Sequence, residues 1–185
     1  MSEELLVIHC SPTLAGIKTG NTFTCLVDSA DELRREITHW NKRLSSKGLR
    51  IIPMCRKNGR AVIYVYRPAR LSGDLKNERA CRLLRDRGYG THSPELCVAQ
   101  LSRRMKEMSE FPHELGLFLG YPPEDVEGFI DNSARNSKLT GSWKVYGDEK
   151  AAKKTFDGYK KCTREYCRSY KMGKTVEWLT VAERS

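Results

Sequence analysis

The densest run of potentially reactive side chains is His9-Cys10-Ser11-Pro12-Thr13-Leu14-Ala15-Gly16-Ile17-Lys18. Ser11-Pro12 joins a residue favoured as a helix cap to one favoured at the first helical position, so a helix is expected to open there. The free N–H groups and the dipole of a helix start favour an anion and lower the pKa of a neighbouring thiol. Cys10 is therefore a candidate nucleophile or redox thiol. Ser11, Thr13 and Lys18 are candidate donors to a phosphate, carboxylate or oxyanion, and Gly16 leaves room for a close approach. The spacing matches neither a GxxxxGK[ST] phosphate loop nor GxGxxG. The competing reading makes Cys10 a small core residue and Ser11 a plain cap.

A second constellation is Pro112-His113-Glu114. Imidazole is the commonest general base near neutral pH, which makes His113 a candidate base. Glu114 is a candidate ligand-binding carboxylate. Adjacent helical residues do not face each other, so Glu114 is not expected to orient His113 directly. The competing reading is a histidine at a helix start, satisfied by a backbone carbonyl. Cys10 and His113 would make a nucleophile and its base if the chain brings them together, and their separation in sequence does not prevent that. His9, opposite Cys10 on a strand, is read as structural.

A third is the basic stretch 150–174. Lys153, Lys154, Lys160, Lys161, Arg164, Arg168 and Lys171 flank an aromatic stripe. Charge interleaved with aromatics suits a nucleic-acid surface. The tyrosines sit at core spacing, however, and the lysines read as the solvated back of a helix. Without a zinc-finger or RNP-type motif, nucleic acid is the alternative partner rather than the leading one.

These residues must be positioned by one domain, 1–185, since no linker, repeat or low-complexity tract divides the 185 residues. Apolar residues are 39%, charged residues 30%, and the mean hydropathy is −0.59. That composition is soluble and globular. No apolar run reaches the roughly 20 residues of a membrane span. Leu5 to Ile8 lacks the flanks of a signal peptide, and a cytoplasmic protein is expected. The net charge is +10, but residues 110–131 carry only acids among the charged types. The surface is thus expected to be polarised, which suits a small anionic ligand or an acidic partner better than a uniform nucleic-acid clamp. Seven scattered cysteines fit a reducing compartment. No CxxC occurs, and Cys162 and Cys167 are expected on different faces of a helix, so no metal site is assigned. A metal or haem held by His113, Cys10 and a carboxylate is a weaker third idea. Nothing points to a particular cofactor or oligomeric state.

Glu4 to Cys10 reads as a buried strand, and Pro12 to about Val27 as a weak helix. Ser29 with Glu32 is a capping box opening a helix that Gly48 ends. Arg50–Cys55 and Ala61–Tyr66 flank Asn58-Gly59, the strongest short hairpin signal, and Pro53 suggests an edge strand or a bulge. Helices follow over 75–87, from Ser93-Pro94, over 111–119 and over 124–130. Residues 142–146 are expected as a strand, 148–172 as a long helix and 175–181 as a last strand. The fold class is α/β or α+β: a single mixed sheet of about five strands, including the hairpin, covered by helices.

Three segments together resemble a bacterial family, domain of unknown function 3793. They are the run His9–Lys18, then Phe111-Pro112-His113-Glu114-Leu115-Gly116-Leu117-Phe118-Leu119-Gly120-Tyr121-Pro122, and Trp143-Lys144-Val145-Tyr146. The resemblance runs nearly end to end, and its Pro-His-Glu hallmark singles out Pro112, His113, Glu114 and Gly120. It implies a bacterial cytoplasmic protein, and it implies no activity. The leading expectation is a small-ligand or catalytic pocket walled by the His9–Lys18 turn and the helix start at Pro112–Glu114.

Overall fold

The computed structural model describes residues 2–90, 93–107 and 111–183. The first element is a helix, α1 (Glu3–Leu14), not the expected strand. Ser2 caps it by accepting from the Leu5 amide, and Glu3 and Glu4 complement the dipole of its first turn. Leu6, Cys10 and Leu14 recur every four residues and are buried, so the run is one stripe of a helix. Ser11-Pro12 therefore lies inside the last turns of α1 and opens nothing. Strand β1 (Gly20–Leu26) follows where a helix was expected. Phe23 and Cys25 alternate inward with Thr24 and Leu26 outward, the two-residue period of a half-buried strand.

The remaining elements are α2 (Ala30–Leu44), β2 (Arg50–Lys57), β3 (Arg60–Tyr66), α3 (Pro68–Asp74), α4 (Glu78–Asp86), α5 (Pro94–Glu107), α6 (Leu115–Phe118) and α7 (Pro123–Asp131). After these come β4 (Leu139–Thr140), β5 (Lys144–Val145), α8 (Glu149–Lys171) and α9 (Val176–Leu179). The class is mixed α and β, but the single five-stranded sheet is not present. The described residues hold an antiparallel three-stranded sheet in the order β1-β3-β2 and a separate two-stranded β4–β5 ribbon. The hairpin turns at Asn58 and Gly59, both with positive φ, and β2 is an edge strand whose register shifts between Pro53 and Cys55. The expected last strand is the short helix α9, capped by Thr175, with Val176 and Leu179 three apart and buried. No described helix is long and apolar enough to cross a membrane.

Each face of the sheet carries its own core. One packs Phe23, Ile51, Ile63 and Val65 against α1, α2 and α9. The other packs Tyr64, Tyr66 and Met54 against α3 to α7. A third cluster joins Trp143, Val145, Ala152 and Phe156, with Tyr121 and Tyr159 at its border. Two buried polar groups fix these parts to one another. The Arg67 guanidinium, 1% exposed, donates to the carbonyls of Thr13 (2.7 Å), Leu14 (2.8 Å) and Val181 (2.7 Å). It thereby adds side-chain donors to C-terminal carbonyls of α1 that also accept from the Gly16 and Val181 amides, and ties the C-terminal segment beside them. The Asp125 carboxylate accepts from the Trp143 indole and from the Tyr146 and Gly147 amides, each at 2.7 Å. It pins the ribbon and the entry to α8 onto α7.

Candidate functional site

After Leu14 the chain turns through Gly16 at φ 75°. The Ile17 and Lys18 amides both donate to the Pro12 carbonyl, at 3.0 and 3.1 Å. This turn folds Lys18 inward, where only 5% of it is exposed. Its Nζ lies 5.3 Å from the Tyr121 ring centre and 5.7 Å from that of Tyr159. Among the described residues no carboxylate comes within salt-bridge distance of it. Cation–ring contacts return about 0.5–2 kcal/mol, less than the several kcal/mol that an ammonium loses on leaving water. Burial accordingly lowers the Lys18 pKa to about 8, the neighbouring Cys10 acting in the opposite direction.

Lys18 lines a cavity of about 520 Å³ between α1 and α8. His9, Pro12 and Asn21 form one wall, and Tyr159, Lys160, Thr163 and Arg164 the other, with Tyr121 and Ser142 at one end. Among the described residues no Asp or Glu lines it. Lys160 and Arg164 are exposed, so the mouth is open to solvent. Tyr121 is held by stacking on Trp143 at 4.8 Å and by donating to the Ser142 carbonyl at 3.2 Å. Its hydroxyl is pushed up to about 12, chiefly by burial, and so stays a neutral hydrogen-bonding group. Four nitrogen bases, several hydroxyls and an amide with no opposing carboxylate make a lining that complements negative charge.

The other expected site residues are placed differently. Cys10 is wholly buried in the first core, and burial pushes its thiol well above the ordinary range. It lines neither this cavity nor the one at His113. The helix-start argument for a reactive thiol fails because Cys10 lies within α1, beyond reach of its free N–H groups. The buried Ser11 hydroxyl donates to the Val7 carbonyl one turn back. Thr13, also buried, donates to Asn21 Oδ1 at 2.8 Å. It therefore acts on the cavity only by orienting Asn21. Gly16 serves the left-handed turn beside the Arg67 side chain, and its carbonyl accepts from Arg70 at 2.8 Å.

His113 is exposed and packs edge-on to Phe129 at 5.1 Å. It lines a second, mostly apolar cavity of about 270 Å³ with Pro112, Trp143 and others. The two cavities share Tyr121 as a wall, but Cys10 and His113 are not brought together. Glu114 is 2% exposed and points away from both, accepting from the Tyr89 hydroxyl at 3.1 Å. It pairs with Arg104 at 2.9 Å and Arg87 at 3.6 Å. Much of the expected acidic patch is thus absorbed internally. Asp125 and Glu114 are buried and Glu127 pairs with Arg79 and Arg82, while Glu110 lies outside the described residues. No group of three or more potential metal-ligating His, Cys, Asp or Glu side chains occurs among the described residues.

Sequence reasoning overlooked Tyr121, Tyr159, Lys160 and Arg164 as partners of Lys18. The available signal was the Tyr159-Lys160 and Thr163-Arg164 pairs, four apart, which put an aromatic edge and a cationic edge side by side on α8.

A family model described as "Protein of unknown function (DUF3793)" matches residues 6–180. The chain belongs to this family. Its matched span includes both walls of the Lys18 cavity and the Pro112-His113-Glu114 segment. No curated protein and no solved structure matches the chain.

Proposed function

We propose that the cavity between α1 and α8 binds a small anionic ligand, with Lys18 at its floor and Lys160, Arg164 and His9 around its mouth. Lys18 carries this reading: among the described residues it is a buried ammonium without a counter-ion, lining a cavity with no carboxylate. Such a group is costly in the empty protein and becomes favourable when a carboxylate or phosphate supplies the missing charge. Perturbed ionisable groups of this kind concentrate at functional sites. In this reading the His9–Lys18 run forms one wall and α8 the facing wall, in place of the Pro112 turn. The buried thiol has no part in this function.

Titration calorimetry with inorganic phosphate, pyrophosphate and oxalate tests the proposal. One of these anions is expected to bind at a single site, and Lys18→Met is expected to weaken it about tenfold or more, the loss of one charge-assisted hydrogen bond. Absence of saturable binding by all three, or binding unchanged in Lys18→Met, would overturn it.

A second reading keeps the exposed side of α8 as a nucleic-acid surface, because Lys153, Lys154, Lys161, Arg168 and Lys171 all face solvent. Binding to a generic duplex that falls steeply with salt and ignores Lys18→Met would favour it.

A further inference from the structure

We propose that Lys18 is a carbonyl-directed nucleophile, forming an imine with a small anionic aldehyde or ketone such as a 2-oxo acid. This deepens the anion-binding reading of the same cavity and rests on it. Three features of the cavity support the step. Lys160 and Arg164 line the same cavity and can hold the ligand's carboxylate, which leaves the Lys18 amine beside its carbonyl carbon. Among the described residues no carboxylate pairs with the Lys18 amine to hold it in its ammonium form. The rings of Tyr121 and Tyr159 lie 5.3 and 5.7 Å from the amine and give flat faces against which a planar carbonyl group can lie. Burial also holds the amine down to about 8, so roughly a tenth of it is neutral at pH 7.

The step balances without an oxidant or reductant. The ammonium first gives one proton to solvent. The nitrogen lone pair then forms a bond to the carbonyl carbon as the C=O π pair moves to oxygen. A proton passes from nitrogen to that oxygen, giving a carbinolamine. The hydroxyl leaves as water with a proton returned from solvent through the open mouth, and a C=N iminium remains. Hydrolysis reverses the sequence and regenerates Lys18.

The test uses the full chain with glyoxylate and cyanoborohydride at pH 7, followed by peptide mass mapping, and with oxalate as an anion that has no reactive carbonyl. Lys18 is expected to carry the reduced adduct at least about tenfold faster than the other lysines, because its neutral fraction is higher. Oxalate is expected to suppress labelling at Lys18 alone. Lys18→Arg, which removes the primary amine, is expected to lose the fast adduct whatever its affinity for oxalate. Should oxalate bind while Lys18 reacts no faster than surface lysines, the imine inference falls and the anion reading stands. Should oxalate, phosphate and pyrophosphate all fail to bind as well, both fall. The wild-type competition decides the matter even if Lys18→Arg does not fold.

Discussion

Lys18→Met exchanges a buried, unpaired ammonium for an apolar side chain of similar length, and its effect on stability is set by pH. Lys18 is held near 8 in the folded protein against an ordinary 10.5. Below pH 8 both folded and unfolded chains carry the proton, and the folded state bears the full cost of the buried charge, about 3 kcal/mol. Between about pH 8 and 10.5 the unfolded chain binds the extra proton, so stability gains as pH rises through that window. By pH 10 the remaining cost is under about 1 kcal/mol. The variant bears no such cost. Urea denaturation of both proteins at pH 7 and pH 10 is therefore expected to show the advantage of Lys18→Met shrinking by about 2–3 kcal/mol. Taking the difference between the two proteins cancels the buried cysteines and tyrosines, whose raised pKa values act in the opposite direction at alkaline pH. A difference that stays constant with pH would refute the reasoning, since it would mean that Lys18 titrates alike in both states.

Asp125→Ala leaves the Trp143 indole and the Tyr146 and Gly147 amides without their acceptor, and is expected to cost about 3–5 kcal/mol and to flatten the near-ultraviolet circular dichroism of Trp143. Glu114→Ala strands Arg104 and Arg87 around a buried site and is expected to cost a similar amount by urea denaturation, with anion affinity unchanged because Glu114 lines neither cavity. Cys10 is expected to resist a maleimide in the native state and to react only as fast as the chain unfolds, read by mass mapping; labelling faster than the partly exposed Cys55 would contradict its sealed position.

Where one local signal decided an element, the sequence was legible. Ser29 and Glu32 opened α2, Asn58-Gly59 fixed the hairpin, and Pro53 marked an edge strand with a register shift. The two ends were misread for a shared reason. Val7-Ile8 and Val176 carry β-branched weight, but the caps at Ser2 and Thr175 and the burial spacing of Leu6, Cys10 and Leu14 favour helix. Ser11-Pro12 reads locally as a helix start, but it lies in the last turns of α1, so Cys10 is a core position and the chain after it forms β1. Lys18 could be singled out from its place in the same run, but its burial could not. Its partners were not legible, because Tyr121 and α8 reach it only through tertiary packing. The acidic character of 110–131 was plain, yet nothing local revealed that Asp125 and Glu114 are internal anchors for indole, amide and guanidinium groups.

The most direct test of the central claim is nuclear magnetic resonance of the Lys18 side-chain amine as a function of pH, with and without saturating phosphate or oxalate. Titration near pH 8 in the free protein, moving up toward the ordinary lysine value when the anion binds, is the expected result. A Lys18 that titrates at the ordinary value in the free protein, or whose titration the anion leaves unmoved, would contradict the claim.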